Sequence, residues 1–384
     1  MATKDGMSVE PQERRPFDLH PFRIGVLNDF PGVAGDLADD WVRAMELAFD
    51  EALENRRIPR PVEIVRKDVY GHPYQSGYSI QTAYRQLVEE EQVLGVIGPM
   101  KTDDSLAVQE EVNRLHVPLI SMCGTMRVGA PEVFVCQQGN LPDEPPVALD
   151  WMVAKGLRTC ALMVENNQIG FEYMEYFLDG IKPRGIDVVA LTTNIAQADT
   201  VEHLAEEFRR MKAADPDCVT YWGLGHNNTK LNPALELADW DPIKIMSTAF
   251  VTAAMGERWA RALDGWYGLD QFDERNPVYQ SLQDRYEKRY GRRPNNAMFP
   301  CGYDMANVMA EGLARMRFMA PSALVEGLER VRRVPAAAGA PGTYLSFGPW
   351  EHRAYRGEYL VVRRAADGVS ILDETWTASF DSRW

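Results

Sequence analysis

Short apolar runs alternate with amphipathic stretches along the first third of the chain. Residues 93–97 and 117–120 are almost entirely apolar, as buried strands are, and residues 104–115 between them carry apolar side chains at helical spacing. A strand, a helix and a second strand in this order build parallel sheets. Both strands run into small and polar residues, and ligands bind at the carboxyl ends of parallel strands. We therefore predict that the residues after these two strands form half of a ligand site.

The same alternation extends over most of the chain. Prolines and acids at residues 137–146 interrupt it, and it then starts again, which predicts an α/β protein of two similar domains, each a parallel sheet with helices on both faces. Predicted strands lie at 22–27, 62–65, 93–97, 117–120, 133–136, 159–164, 188–192, 218–222, 244–247 and 264–272. Predicted helices lie at 36–55, 79–91, 104–115, 147–155, 171–181, 201–214, 230–239, 277–290, 297–316 and 322–332. Strand-like runs at 343–347, 358–363 and 368–372 follow a flexible joint at 335–341, and residues 1–21 are predicted to be a disordered tail.

Charge and cysteine usage narrow the range of functions. A net charge of −15 over 384 residues argues against nucleic-acid binding and against docking on an anionic membrane, because both need basic residues. No apolar stretch is long enough to span a bilayer, so membrane insertion is not predicted. The N-terminal residues lack the apolar core of a secretory signal, and five scattered cysteines favour reduced thiols. The expected location is the cytoplasm, or outside it if a leader has been removed.

Motifs for catalysis, metals and cofactors are absent from the sequence. The six histidines are isolated, and there is no H-E-x-x-H, C-x-x-C, G-x-S-x-G or P-loop motif. Residues 223–226 begin like a dinucleotide loop but lack its third glycine. Cys123 stands at a strand end, yet no sequence feature supplies the base that a nucleophilic thiol needs. We predict a non-catalytic protein without cofactor or metal, and keep an α/β enzyme using Cys123 as a remote alternative.

Six segments carry a family resemblance. They are FRIGVLND from residue 22, AMELAFD from residue 44, VLGVIGPMKTDDSLAV from residue 93, VPLISMCGT from residue 117, GYD from residue 302 and YLSFGPWEHRAYRGEYLVVRRAADG from residue 344. In this order and spacing they resemble the leucine/isoleucine/valine-binding family of type I periplasmic binding proteins, which are substrate-binding proteins of ABC transporters.

The resemblance implies two Rossmann-like lobes joined by a hinge that the chain crosses three times. Lobe I would comprise residues 22–140 and 272–338, and lobe II residues 141–268 and 345–376. The crossings would lie near 138–146, 266–272 and 335–345, close to the proline-rich and glycine-rich joints of the sequence. Such lobes close around a ligand through contacts that exist only in the closed state.

Lobe I offers hydroxyl groups and a thiol at its two strand ends. Thr102 and Ser105, with the backbone N–H groups around them, are candidates to hold an anionic or carbonyl oxygen of the ligand. Ser121 and Thr125 would add hydroxyls from the next strand, and the resemblance favours Thr125. Cys123 lies between these two. The alternative is that the polar side chains after residue 101 only cap their helix.

Lobe II offers an amide and apolar or aromatic side chains. Asn167 and Ile169 lie in a loop where the family often has an aromatic residue before a glycine, and here that aromatic is missing. Tyr221 and Trp222 precede a glycine and could stack on a ligand, although alternation along a strand leaves one of them for the core.

Two further positions bear on the chemistry of the ligand. Phe250 stands where amino-acid-binding relatives often carry an acid that pairs with the ligand's ammonium group, and an ammonium facing Phe250 would be poorly compensated. Tyr267, near a predicted crossing, would make the cleft more aromatic. Both favour an apolar or aromatic ligand with one polar end and without an α-amine.

The resemblance leaves the biological role open. The first hypothesis is a binding protein that delivers a small molecule to an ABC permease, and the second is a cytoplasmic sensor or carrier of the amide-sensing kind that would act on a regulatory protein. In either case the partners would be a small-molecule ligand and no nucleic acid, and the protein would be a monomer or a homodimer.

Overall fold

The computed structural model describes residues 20–29, 36–72, 75–137, 139–195, 198–294, 296 and 298–373. Of the predicted tail, residues 1–19 lie outside the described part of the chain, as do residues 374–376 of predicted lobe II.

Within these ranges the strands form two large sheets and one small sheet. The first sheet is parallel and contains β1 (Phe22–Asn28), β2 (Val62–Asp68), β3 (Gly95–Ile97), β4 (Leu119–Ser121) and β5 (Val133–Val135), in the spatial order β2-β1-β3-β4-β5. The second sheet contains β6 (Thr159–Glu165), β7 (Asp187–Asn194), β8 (Cys218–Trp222), β9 (Ile243–Met246), β10 (Tyr267–Asp270), β14 (Val361–Ala366) and β15 (Val369–Leu372). Its spatial order is β15-β14-β10-β9-β8-β6-β7; β14 pairs antiparallel with both β10 and β15, and the other neighbouring strands pair in parallel. The small antiparallel sheet contains β11 (Val334–Pro335), β12 (Tyr344–Leu345) and β13 (Tyr355–Arg356).

Helices cover both large sheets. They are α1 (Asp36–Glu54), α2 (Gly77–Arg85), α3 (Thr102–Leu115), α4 (Glu144–Ala154), α5 (Gln168–Arg184), α6 (Val201–Lys212), α7 (Asn228–Leu237), α8 (Glu257–Ala262), α9 (Pro277–Tyr290), α10 (Met298–Arg315) and α11 (Pro321–Leu328). A π-helical turn at Gln86–Glu90 extends α2, and a 3-10 helix at Thr248–Met255 precedes α8. The predicted class, two α/β lobes, is confirmed. The 3-10 helix and α8 were not predicted, because residues 248–262 have neither helical nor alternating periodicity.

Helix α10 returns the chain to the first lobe and packs against α1. Gly302 makes this close approach possible, since a Cβ there would lie 2.5 Å from the carbonyl oxygen of Trp41. The two residues that follow anchor the helix. The Tyr303 hydroxyl donates to Glu51 at 2.7 Å, and the buried Asp304 carboxylate accepts the N–H groups of Ala337 and Ala338 at 2.8 and 3.0 Å. The G-Y-D segment therefore serves helix packing.

We expect Gly302→Ala to lower the free energy of unfolding by about 1–3 kcal/mol, although alanine is the better helix former, because the new methyl group must displace backbone. Urea denaturation measures this effect. Gly129→Ala is the control, because a Cβ at Gly129 meets no atom within 4 Å. Equal stability of the two variants would contradict the packing role.

The chain passes between the large sheets after β5, after β10 and between β13 and β14. The third passage, at residues 357–360, lies C-terminal to the predicted crossing at 335–345. The reason is that residues 352–354 attach to the edge of the first sheet, where Val135 N–H donates to His352 O at 2.7 Å and Ala354 N–H donates to Val135 O at 2.8 Å. We therefore propose that residues 345–356 belong to lobe I and that lobe II resumes at β14.

Candidate functional site

A cavity of about 330 Å³ lies between the two lobes, at the carboxyl ends of their parallel strands. The loops after β3, β4, β8 and β9 all reach it. From lobe I it is lined by Met100, Lys101, Thr102, Met122, Gly124 and Met298, and Leu141 stands near the first crossing. From lobe II it is lined by Ile169, Tyr173, Gly223, Leu224, Gly225, His226, Thr229, Thr248, Ala249, Val251, Thr252, Met255, Arg258 and Trp259. None of the described lining residues is Asp or Glu.

Asp29, directly after β1, fixes the lobe I loop at the cavity. Its buried carboxylate accepts the N–H groups of Met100 and Lys101 at 2.8 and 3.0 Å, and the Lys101 ammonium donates to the Asp29 carbonyl oxygen at 2.7 Å. Burial raises the pKa of Asp29 to about 7 in spite of the opposing charge of Lys101. Lys101 therefore lines the cavity while its ammonium group is hydrogen-bonded to the protein.

The predicted hydroxyls of lobe I differ in their placement. Thr102 lines the cavity, and its Oγ1 accepts the Gly124 N–H at 3.3 Å. Ser105 and Ser121 lie behind it, with their Oγ atoms 2.6 Å apart, and Ser105 also donates to the Lys101 carbonyl oxygen at 2.8 Å. Both serines are fully buried and connect the two loops to each other. Cys123 is also buried outside the lining, and burial raises the pKa of its thiol.

Thr125, the hydroxyl that the resemblance favoured, joins the two lobes directly. Its Oγ1 donates to the Glu172 carboxylate of α5 at 2.6 Å, and the Met126 N–H donates to the other Glu172 oxygen at 3.0 Å. Arg127 adds an ion pair to Glu172 at 3.6 Å. Glu172 is buried. The lobes are thus in contact through side chains of their own, and Thr125 lies outside the cavity lining.

Glu165, at the end of β6, organises the lobe II wall. Its buried carboxylate accepts the N–H groups of Leu224, Gly225 and His226, each at 2.9 Å, and the Tyr221 hydroxyl at 2.5 Å. Burial acts to raise the pKa of Glu165, but hydrogen bonding and the charge of His226, with the bonds from Tyr221 and Leu224, outweigh it and lower the pKa to about 2. The protein's own carboxylate therefore occupies the anion-binding N–H groups of this loop.

Glu144, at the start of α4, is hydrogen-bonded to two other residues of the lobe II wall. It accepts the Thr248 N–H at 2.7 Å, the Thr248 hydroxyl at 3.0 Å and the Tyr173 hydroxyl at 2.7 Å. Burial raises its pKa to about 7, and these hydrogen bonds only partly oppose the effect. Tyr173 and Thr248 line the cavity, so Glu144 holds two lining residues in place without lining it itself.

Of the predicted lobe II residues, the structure brings only Ile169 to the cavity. Asn167 caps α5, where its side-chain oxygen accepts the Gly170 N–H at 2.8 Å. Trp222 is buried and packs on Tyr173 and Phe177 of α5, with ring centroids 5.2 and 5.3 Å apart.

Tyr221, Phe250 and Tyr267 also serve packing. Tyr221 bonds to Glu165 from within the core, and Phe250 is buried against Gly268, where a Cβ would lie 2.2 Å from the Phe250 Cβ. Tyr267 packs on Trp151 with ring centroids 4.8 Å apart. These three lie outside the lining to which Thr102 and Ile169 belong. For Tyr221 the reason is that a sheet covered on both faces buries both sets of alternate side chains, and Phe250 belongs to the 3-10 helix rather than to a strand.

The methionines and the α8 residues of the lining are not among the site residues predicted from the sequence. Met122 directly follows β4 and Met100 lies three residues after β3, so their chain positions could have indicated them. Arg258 and Trp259 belong to a short helix without a periodic pattern, and no sequence signal indicated them.

Solved structures share this two-lobed architecture. The branched-chain amino acid transporter substrate-binding protein LivJ from Streptococcus pneumoniae, solved with isoleucine, is 17% identical with a TM-score of 0.73, over 92% of this chain and 99% of that one. A solute-binding protein of an ABC transporter from R. palustris, solved with benzoate, is 18% identical with a TM-score of 0.74, over 92% and 96%. An ABC transporter substrate-binding protein from Sphaerobacter thermophilus is 22% identical with a TM-score of 0.74, also over 92% and 96%. A comparison with curated proteins gave no match.

The sequence model of the periplasmic binding protein family matches residues 21–363, and the chain therefore belongs to that family. The predicted resemblance is confirmed. Among the described residues no helix has the length and apolar character to cross a membrane. The same residues contain no group of three or more His, Cys, Asp or Glu side chains that could hold a metal ion.

Proposed function

We propose that this protein binds a small organic ligand in the cavity between its lobes and releases it chemically unchanged, as the substrate-binding component of an ABC importer. Membership of the family supports this role. So does the lining, to which both lobes contribute, because a ligand held there stabilises the closed arrangement of the lobes.

The ligand that fits this lining is apolar or aromatic with one polar end and without an ammonium group. Met100, Met122 and Met298 supply an adaptable apolar wall. The observation that carries the proposal is that no carboxylate stands among the described lining residues, so a buried ammonium would lack a partner. The sequence-based argument for this preference rested on Phe250, but Phe250 lies in the core. The preference is now supported by the described lining residues together.

We expect 4-methylpentanoate, which is leucine without its amino group, to bind at least about tenfold more tightly than leucine, because only leucine buries an uncompensated ammonium. Isothermal titration calorimetry with this pair measures the difference, and phenylacetate with phenylglycine provides an aromatic pair. Binding of leucine at micromolar strength or tighter, with no preference for the acid, would contradict the proposed ligand class.

The remaining alternatives predict different observations. A nucleophilic role for Cys123 is disfavoured by a thiol that is buried and whose pKa is raised. Mass spectrometry of ligand recovered after incubation would reveal an enzyme through altered ligand. A transport role requires the protein to lie outside the cytoplasmic membrane, whereas a sensor would remain in the cytoplasm, and cell fractionation distinguishes the two.

A further inference from the structure

The polar end of the ligand needs a partner, and most polar groups of lobe I are already used by the protein. The Ser105 and Ser121 hydroxyls bond to each other, and Thr125 bonds to Glu172. Two carboxylates, Asp103 and Asp104, stand in the first turn of α3 and would repel an anion approaching its N-terminus. This end of the cavity is therefore poorly suited to a ligand carboxylate.

The loop after β8 is closed to an anion for a similar reason. Its three successive N–H groups, from Leu224 to His226, already donate to the Glu165 carboxylate. A ligand carboxylate would have to displace a buried, hydrogen-bonded side chain to reach them.

Among the lining residues that the structure describes, Lys101 donates to the Asp29 carbonyl oxygen and lies 3.7 Å from the Asp104 carboxylate, whereas Arg258 is available to a ligand. Its guanidinium donates no hydrogen bond to, and forms no ion pair with, any residue that the structure describes, and its contact is with the ring of Trp259, whose centroid lies 5.5 Å away. Arg258 is exposed, so it stands at the mouth of the cavity. A guanidinium presents paired N–H donors that match a carboxylate.

We propose, on the basis of the function proposed above, that Arg258 binds the ligand's carboxylate and thereby sets the ligand's orientation. The carboxylate lies at the lobe II mouth, and the apolar body points toward Met100, Met122 and Met298 on the opposite lobe. The site then selects monocarboxylates with an apolar body over their neutral amides.

Titration calorimetry of the whole protein tests this with four probes: 4-methylpentanoate and benzoate, and their neutral counterparts 4-methylpentanamide and benzamide. We expect Arg258→Ala to weaken binding of both acids by about 10–100-fold and binding of both amides by less than about threefold, since only the acids form a charge-assisted bond. Arg258→Lys keeps the charge and loses the paired donors. Its affinity for the acids is expected to lie between those of the wild type and Arg258→Ala.

Arg261→Ala is the matched control. Arg261 lies one turn further along α8, pairs with Glu257 at 2.6 Å and faces a different surface groove, so its loss should leave all four affinities unchanged. If Arg258→Ala affects acids and amides equally or not at all while the wild type binds them, the role of Arg258 is overturned and the cavity function stands. If the wild type binds none of the four probes, the ligand class of the proposed function fails, and this inference fails with it.

Discussion

Glu165→Ala is expected to lower the free energy of unfolding by about 3–5 kcal/mol and to abolish ligand binding. The substitution leaves the Tyr221 hydroxyl and the N–H groups of residues 224–226 without an acceptor inside the protein. The loop that forms one wall of the cavity then loses the carboxylate that defines its shape. Urea denaturation measures the stability, and calorimetry with the best-binding acid measures the affinity.

The size of this effect depends on the ionised state of Glu165. Its pKa is lowered to about 2 from an ordinary 4.5, so the folded state favours the carboxylate more than the unfolded state does. The stability that it contributes is therefore complete above pH 4.5 and is lost as the pH falls toward 2.

Glu175→Ala is the control for Glu165→Ala, because Glu175 is exposed and forms a surface ion pair with Arg127 at 3.3 Å. Its loss should change stability by less than about 0.5 kcal/mol. Glu165→Gln should fall between the two, since its amide retains one acceptor oxygen but turns an NH₂ group toward donors. A loss below about 1 kcal/mol in Glu165→Ala, with affinity retained, would show that the loop holds its shape without this carboxylate.

The central strands of both sheets could be predicted because they are buried on both faces and appear in the sequence as short apolar runs, whereas the edge strands β2 and β7 are partly exposed. Residues 218–222 illustrate this, since all five are buried and the predicted and observed bounds agree. The third crossing that we propose, at residues 357–360, has no comparable signal in the sequence. Its position depends on Val135 pairing with residues more than 200 positions later, and local composition contains no information on that pairing.

The strand ends where the sequence predicted a site border the cavity, and of the named residues Thr102 and Ile169 line it. Spacing places Ser105 and Ser121 near each other, yet it cannot tell a hydroxyl that faces a ligand from one that bonds to its neighbour at 2.6 Å. Glu165 had a usable signal, since an acid that ends an apolar strand is buried and must find donors.

Direct contact between the lobes changes how their closure should be understood. The Thr125–Glu172 and Met126–Glu172 bonds form without any ligand atom. Closure of the lobes around a ligand, as the proposed function requires, would therefore involve these protein–protein bonds as well as the contacts that the ligand makes with both lobes.

Raising the pH from 5 to 8 is expected to lower the melting temperature by several degrees, and Glu144→Gln is expected to reduce that change. Burial raises the pKa of Glu144 to about 7 from an ordinary 4.5, so between these values the folded state keeps a proton that the unfolded state releases. Rising pH then favours unfolding, by up to about 3 kcal/mol for this one group. Burial shifts the pKa of Asp29 and Asp304 to about 7 as well, in the same direction.

Glu144→Gln removes the titration while keeping the local geometry, since its amide oxygen can accept the Thr248 N–H and its NH₂ can donate to the hydroxyls of Thr248 and Tyr173. Thermal unfolding followed by circular dichroism at pH 5, 6, 7 and 8 measures the slope for each variant. Glu110→Gln, at an exposed position of α3, should reproduce the wild-type slope. If Glu144→Gln also reproduces it, the buried carboxyl is not the group that releases its proton on unfolding, and the pH response must then come from the other buried acids.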